Sequence, residues 1–296
     1  MPKPSVAAIS FSLPIDPPPN TPVTAILPAE PLLLMGAGPV PIPQAVAQAN
    51  GFIINHLGPT MDRVIQNVKA MAAYAFQTHG KIIGLAGPGS AAMEMAVSNT
   101  CWPGRRVLCL KSGTCSGRLG EMAEGVGADV TYLESEVGLP VSAEQVRAAL
   151  SKARFDVVTM AHGETSCGVR LVDLAEVCRL AKDHGALTIV DAVVTLAAMP
   201  VPMDEWGIDV CLTGGQKALS SIPGVSLCAF SDDAWTRSKS TRPRDRTGAM
   251  TPCARSSSGA NITITTLLPC LVCWRCTRRS GWWRRRRSSA DSGDTR

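Results

Sequence analysis

A lysine and an aspartate each follow an apolar run of the sequence, at positions where their side chains could take part in catalysis. Lys217 comes shortly after the run Ile208–Leu212 and a glycine pair, and Asp191 directly follows the run Leu187–Val190, 26 residues before the lysine. Both runs have the length and the boundaries of buried strands. In a parallel sheet, the carboxyl ends of the strands face the crevice where ligands bind. An amine on a short turn there can attack a carbonyl group, and a neighbouring acid can hold a proton.

Pyridoxal 5'-phosphate chemistry requires this pair of side chains. The lysine binds the cofactor's aldehyde, and the acid keeps the pyridine nitrogen protonated. The contexts Gly-Gly-Gln-Lys at 214–217 and Ile-Val-Asp-Ala at 189–192 resemble the class V branch of the fold-type I pyridoxal-phosphate enzymes. Within that branch, the sequence is most similar to the alanine–glyoxylate and serine–glyoxylate aminotransferases, over residues 33–235. The resemblance implies that Lys217 binds the cofactor covalently and moves the substrate's Cα proton, while Asp191 holds the pyridinium proton.

A Gly-Pro-Gly-Ser turn at 87–90 follows one predicted strand and opens a predicted helix. The N-terminus of a helix presents free N–H groups and the positive end of the helix dipole to an anion. By the resemblance, Gly89 and Ser90 bind the cofactor phosphate, together with Gln216. Pro88 stands where some relatives carry a serine, so Ser90 is expected to supply the side-chain contact.

The same resemblance places further residues around the ring and the substrate. Ser166 closes the stretch His-Gly-Glu-Thr-Ser and would orient the ring substituents, and Val193 would pack on one face of the ring. Gly38 and Pro39 keep half of a Gly-Pro segment that passes the substrate in the family. His162, at the start of the Ser166 stretch, is either a general base or, as we favour, a residue that orients this loop.

Cys115 departs from the family pattern. Relatives place an aromatic residue there, stacked over the pyridine ring, and its loss would cost about 1 kcal/mol of ring contact. The thiol indicates either a variant enzyme with a looser cofactor or an error in one base of the gene. The cysteine desulfurases and lyases of the same branch are the alternative activity. They usually carry histidine before the lysine and often histidine over the ring, and Gln216 and Cys115 argue against them.

The resemblance therefore implies transamination from a small amino acid, alanine or serine, to glyoxylate or pyruvate. Two half-reactions would give ping-pong kinetics. The expected partners are the small-molecule amino acid and 2-oxo acid and, in the full-length form, a second copy of the chain in a homodimer.

Strands alternate with helices between the candidate site residues. Strands are predicted at 82–86, 106–110, 130–133, 156–160, 187–190, 209–212 and 226–230, and helices at 61–76, 89–99, from 118, at 143–150 and at 174–183. This alternation predicts an α/β fold with a mostly parallel sheet covered by helices on both faces. We assign residues 31–235 to this large domain. Residues 1–30, rich in proline, are predicted to be an extended or disordered leader.

The net charge of +5 arises at the end of the chain. Residues 237–296 hold 14 Lys and Arg against 3 Asp and Glu, whereas residues 1–236 hold 15 against 21. The mildly acidic body argues against a nucleic-acid or membrane partner, and no apolar run reaches membrane-spanning length. The beginning of the sequence has no signal-peptide pattern, and the body has no Cys-x-x-Cys spacing for a metal. A cytoplasmic location without a metal is expected.

Residues 236–296 have the composition of a basic, poorly ordered tail. A nucleic-acid-binding arm is one interpretation. A shift of the reading frame is the interpretation we favour, because Asn261–Thr265 can be encoded by bases that spell Gln-Tyr-His-Tyr-Tyr when read one base earlier. The family has a Tyr-His-Tyr-like segment here. The small domain, the partner subunit's phosphate contacts and the substrate-binding arginine would then be missing or scrambled, leaving an inactive remnant that acts only as a scaffold.

Overall fold

A computed structural model of the chain describes residues 21–30 and 33–240. The chain divides into two units, Met1–Leu33 and Leu34–Arg296. In the first unit, residues 21–30 are exposed and include one short 3-10 helix, Val23–Ala25, within the predicted extended or disordered leader. The remainder of that leader, residues 1–20, lies outside the described residues.

The second unit alternates helices and strands, as the sequence predicts. Its helices are α1 (Gln44–Asn50), α2 (Pro59–Phe76), α3 (Gly89–Thr100), α4 (Thr114–Gly125), α5 (Ala143–Lys152), α6 (Leu174–Asp183) and α7 (Asp232–Ser240). Its strands are β1 (Lys81–Ala86), β2 (Arg106–Lys111), β3 (Asp129–Glu134), β4 (Val157–Ala161), β5 (Gly163–Glu164), β6 (Val169–Arg170), β7 (Leu187–Asp191), β8 (Val210–Gly214) and β9 (Val225–Phe230).

Within the described residues, seven strands form one sheet in the order β1-β9-β8-β7-β4-β2-β3. The pairs β8–β7, β7–β4, β4–β2 and β2–β3 are parallel, whereas β9 is antiparallel to both of its neighbours. Six strands therefore point the same way, which confirms the predicted mostly parallel sheet. Strands β5 and β6 form a separate two-stranded hairpin. Because six strands share one direction, their carboxyl ends line a single edge of the sheet.

Helices cover both faces of the sheet, which is also as predicted. Side chains of α2, α5 and α6 belong to one apolar cluster, and side chains of α3, α4 and α7 belong to the other. The alternation of side chains along a strand divides β7 between them: Val190 packs in the first cluster, and Leu187 and Ile189 pack in the second. None of the helices within the described part of the chain is long and apolar enough to cross a membrane.

Two element boundaries differ from the sequence prediction in ways that affect the site or the domain limits. Helix α4 begins at Thr114, not near Arg118, so that Cys115 lies in its first turn. Helix α7 continues to Ser240, past the predicted end of the large domain at residue 235. The predicted basic tail from residue 241 onward lies outside the described residues, and the domain division stays a prediction.

Candidate active site

Lys217 lies in the connection between β8 and β9, at the carboxyl edge of the sheet. Its Nζ donates a hydrogen bond to the carbonyl oxygen of Gly38 over 3.1 Å, and the amide of Val40 donates to the carbonyl oxygen of Gln216 over 3.0 Å. Gly38 has a φ of +113°, and a Cβ at this position would collide with the Lys217 side chain. The structure therefore brings the predicted substrate segment, Gly38 and Pro39, beside the lysine.

Asp191 ends the strand next to the one that precedes Lys217. Strands β7 and β8 pair in parallel, with Asp191 opposite Leu212. The carboxyl group is buried, and its Oδ1 accepts a hydrogen bond from the amide of Val193 over 2.8 Å. The carbonyl oxygen of Val193 in turn accepts from the amide of Ala218 over 3.4 Å. The segment that begins with the acid thus contacts the residue that follows the lysine.

Burial determines the proton affinity of Asp191. Loss of solvent raises its pKa from the ordinary 3.8 to about 6, and the nearby charge of Glu164 acts in the same direction, against the hydrogen bond from Val193. The ionised form of this buried carboxyl group would be stabilised by any cation that enters the site. A protonated ring nitrogen is such a cation.

The N-terminus of α3 meets the turn before Lys217. A Cβ built on Gly89 would lie 2.9 Å from Cγ2 of Val193, so this approach is available only to glycine. A Cβ built on Gly214 would lie 3.2 Å from both the amide nitrogen of Gly89 and Oε1 of Gln216. That Oε1 is buried without a hydrogen-bond partner among the described residues. Turning the amide by half a rotation would present its NH2 group to an anion at the helix N-terminus.

Ser90 is the second residue of α3 and is half-buried. It therefore lies in the first turn of the helix, at the end that the sequence assigned to the phosphate. Gly89 and Ser90, the two residues of this turn that are predicted to bind the phosphate, therefore lie just after β1, at the carboxyl edge of the sheet.

Ser166 is held by a buried carboxylate. Its Oγ donates to Oε1 of Glu164 over 2.6 Å and accepts from the amide of Thr114 over 3.0 Å. Glu164 also accepts from the amides of Cys115 and Ser116, over 3.1 and 2.8 Å. Burial alone would raise the pKa of Glu164, but the hydrogen bonds from Ser166 and Ser116 outweigh it and lower the pKa to about 2. Glu164 is therefore ionised at neutral pH.

Cys115 joins the same group of side chains from the first turn of α4. Its Sγ lies 3.4 Å from Oγ1 of Thr165 and is half-buried. Burial raises its pKa, and the charges of Glu164 and Asp191 act in the same direction. The side chain at this position is thus a protonated thiol at neutral pH.

The imidazole of His162 contacts Thr195, through Nδ1 and Oγ1 over 3.0 Å. Burial lowers its pKa to about 4, with a smaller effect from the charge of Arg170, so the ring is neutral at pH 7. Its backbone amide donates to the carbonyl oxygen of Asp191 over 2.9 Å. The His162 side chain therefore does not hold Ser166. Glu164 does, and its only signal in the sequence was its place two residues before Ser166.

These features fit pyridoxal phosphate. Lys217 offers the amine, and buried Asp191 offers an anion for a protonated ring nitrogen. The N-terminus of α3, with Gln216 nearby, offers an anion site. Val193 presents an apolar side chain beside Gly89, at the N-terminus of α3. Within residues 21–30 and 33–240, no group of three or more His, Cys, Asp and Glu side chains could hold a metal ion.

Comparison with known proteins agrees with this geometry. The family model of class V aminotransferases matches residues 45–261, and class V aminotransferases depend on pyridoxal phosphate. The rabbit (Oryctolagus cuniculus) alanine–glyoxylate aminotransferase is 35% identical over 217 residues, which cover 71% of this chain and 55% of the relative. The chain thus spans about half the length of the curated relatives it matches.

Solved structures give the same assignment. The alanine–glyoxylate aminotransferase of Nostoc sp. superposes with a TM-score of 0.78 at 28% identity, covering 88% of this chain and 73% of that one. A cysteine desulfurase of Thermococcus onnurineus superposes with a TM-score of 0.62 at 16% identity, covering 81% and 65%, and shares the fold alone. The chain belongs to the class V aminotransferase family.

Proposed function

We propose that this protein catalyses transamination from a small amino acid, alanine or serine, to glyoxylate or pyruvate, with pyridoxal phosphate as its cofactor. One observation carries the proposal: Lys217 and Asp191 follow neighbouring parallel strands at one edge of the sheet, and Val193 bonds both the Asp191 carboxylate and the amide of Ala218, the residue after Lys217. Relatives named for alanine and glyoxylate support the choice of substrates.

Each side chain of the proposed site has a role that follows from its position. Lys217 would bind the cofactor and carry the proton removed from the substrate's Cα, because its Nζ is the amine at the sheet edge. Asp191 would hold the proton on the ring nitrogen. When bound, pyridoxal phosphate would supply an electron sink for the Cα–H bond.

The remaining residues would hold the cofactor in place. Gly89, Ser90 and Gln216 would bind the phosphate, since they converge at the N-terminus of α3. Val193 would pack against one face of the ring. Cys115 would lie where relatives place an aromatic residue.

Three more residues complete the proposed assignment. Ser166 would contact the ring substituents. Gly38 and Pro39, whose segment accepts the hydrogen bond from Lys217, would lie beside the substrate.

Covalent binding of the cofactor to Lys217 is the direct test. Purified protein incubated with pyridoxal phosphate should gain the visible absorbance of the lysine-bound cofactor, and borohydride reduction should label the peptide that contains Lys217. The Lys217→Ala variant should lose both signals. Lys69→Ala, which removes an exposed lysine of α2, should keep both. A labelled lysine other than Lys217, or absorbance that persists in Lys217→Ala, would contradict the proposal.

Substrate assays separate the proposed activity from the desulfurase alternative. Alanine and serine should change the visible absorbance and, with glyoxylate or pyruvate present, yield the corresponding amino acid product. Release of sulfide from cysteine, without amino transfer, would favour the desulfurase. This chain shares only its fold with the cysteine desulfurase, whereas a glutamine before the lysine, Gln216, favours the aminotransferases. A chain that binds no pyridoxal phosphate would instead be the scaffold protein of the second alternative.

The full-length enzyme is proposed to be a cytoplasmic homodimer whose small domain follows the large domain at 31–235. The frame-shift hypothesis for residues 236–296 is tested by resequencing the gene between the codons for Trp235 and Asn261. An intact frame in independent isolates would refute it and would favour the nucleic-acid-binding arm. The frame-corrected protein should carry the higher transamination activity.

A further inference from the structure

We infer that Glu164 is the positioning residue of the cofactor site: it fixes Ser166 as a hydrogen-bond acceptor and holds the first turn of α4, with Cys115, at the sheet edge. This inference rests on the proposed function, because the ring that these residues would contact is that of pyridoxal phosphate. Neither the sequence motifs nor the family match singles out this residue.

Glu164 uses both carboxylate oxygens. Oε1 accepts from the amide of Cys115, the amide of Ser166 and the hydroxyl of Ser166, over 3.1, 3.2 and 2.6 Å. Oε2 accepts from the amide and the hydroxyl of Ser116, over 2.8 and 2.9 Å. Five donors from two segments, about 50 residues apart in the chain, thus converge on one buried side chain. Only an ionised carboxylate can accept from all of them.

Helix α4 depends on this carboxylate for its N-cap. The residue at the cap position, Gly113, has no side chain that could accept a hydrogen bond. The free amides of Cys115 and Ser116 are paired by Glu164 instead, and a negative charge at this end also interacts favourably with the helix dipole. A Cβ on Gly113 would lie 2.6 Å from Cγ of Glu164, so the glycine is what lets the carboxylate approach.

The hydrogen-bond sense of Ser166 follows from the ionised state of Glu164. A carboxylate cannot donate, so the Ser166 hydroxyl donates to Oε1. The Oγ of Ser166 also accepts a hydrogen bond from the amide of Thr114 over 3.0 Å. A hydroxyl has one donor and two lone pairs, so the contacts made by the described residues leave Ser166 one free lone pair and no free hydrogen. Ser166 therefore accepts a hydrogen bond from a protonated group of the bound cofactor or substrate.

Glu164 also affects the pKa of Asp191. Its charge acts to raise the pKa of Asp191, and the thiol of Cys115 is subject to both carboxylates. Two carboxylates near one position favour a cation between them. Through Ser166, Cys115 and Asp191, one residue thus affects three of the proposed cofactor contacts without a proposed contact of its own.

The Glu164→Gln variant of the whole chain tests the inference. An amide NH2 group cannot accept, so whichever way the glutamine turns, at least one backbone amide of α4 loses its partner. Pyridoxal phosphate should bind about tenfold more weakly, which corresponds to about 1.4 kcal/mol, and the absorbance maximum of the bound cofactor should shift. In the cofactor-free chain, the amides of Cys115 and Ser116 should exchange hydrogen faster.

Asp209→Asn is the matched control. Asp209 is also a buried carboxylate and accepts from the amide of Thr188 and the hydroxyl of Ser231, but it lies at the amino end of β8. Its amide variant also neutralises a buried carboxylate and should leave the absorbance maximum and the exchange of the α4 amides unchanged. The comparison separates a positioning effect from the general effect of neutralising a buried carboxylate.

Ser166→Ala keeps the bonds between Glu164 and α4, and serves if Glu164→Gln does not fold. It should weaken cofactor binding severalfold without faster exchange at Cys115 and Ser116. Wild-type affinity and spectrum in the variant that folds would overturn the inference. If the wild-type chain binds no pyridoxal phosphate, the proposed function fails, and the inference is then decided by hydrogen exchange at the amides of Cys115 and Ser116 in Glu164→Gln. Exchange at the wild-type rate would overturn the inference. Faster exchange would support the role of Glu164 in holding α4.

Discussion

The Asp191→Asn variant of the cofactor-free protein should be more stable than the wild type at neutral pH. Asp191 is buried, and its pKa rises from 3.8 to about 6 on folding. The folded state therefore binds the proton more tightly than the unfolded state does. Stability that is fully present below pH 3.8 is lost as the pH rises through about 6. An asparagine carries no charge, and its oxygen can still accept the hydrogen bond from Val193.

The pKa difference sets the size of the effect. With 1.36 kcal/mol for each pH unit, linkage gives the asparagine variant an advantage of about 1 kcal/mol at pH 4.5 and about 3 kcal/mol at pH 7.5. Glu164, whose pKa is lowered to about 2, loses its contribution in acid in both proteins, so it cancels in the comparison.

Urea unfolding at the two pH values, followed by circular dichroism, measures this difference. Asp62→Asn, which changes an exposed carboxylate of α2, should alter the free energy of unfolding little at either pH. A difference between Asp191→Asn and the wild type that does not change with pH, or a variant less stable than the wild type at pH 7.5, would refute the reasoning. The same variant should bind pyridoxal phosphate more weakly, because the charge that destabilises the empty fold is the one that would hold the pyridinium.

Two further substitutions test the contacts around the ring. Gly89→Ala places a Cβ 2.9 Å from Cγ2 of Val193. Because valine has few rotamers, we expect a loss of about 1–3 kcal/mol of stability in urea and weaker cofactor binding. Gly125→Ala, in the last turn of α4 and facing open space, should not destabilise the protein. Cys115→Phe restores an aromatic side chain and should tighten pyridoxal phosphate binding by about fivefold, or ~1 kcal/mol, in a titration of the visible absorbance. Unchanged affinity would indicate that position 115 does not lie over the ring.

The strands of the sheet could be placed from the sequence because of how parallel strands are buried. The inner parallel strands β4, β7 and β8 are buried along their whole length, so that each reads as a largely apolar run. Across the seven strands of the sheet, predicted and observed bounds differ by at most two residues. The bounds of α6 were correct, since its apolar residues recur at helical spacing. Lys217 and Asp191 follow from the same logic, because a residue after a parallel strand must lie at the carboxyl edge.

The start of α4 and the role of Glu164 could not be predicted, for one shared reason. Gly117 and Gly120 lower the helix propensity of this segment, and the first amides of the helix are paired by a carboxylate 48 and 49 positions further along the chain. No local spacing marks a contact of that range. The sequence pointed to His162 as the residue that orients the Ser166 loop, whereas the imidazole turns to Thr195 and the carboxylate two residues later makes the bonds.

The position of β9 has a consequence for how the chain is made. Strand β1 precedes the other strands along the chain, yet among the described strands its only partner is β9, at residues 225–230. Until those residues emerge, β1 has no neighbour, and its backbone groups stay open to association with other chains. The loop that carries Lys217 lies between β8 and β9, so the step during synthesis that pairs β9 with β1 is also the step that puts Lys217 in place at the sheet edge.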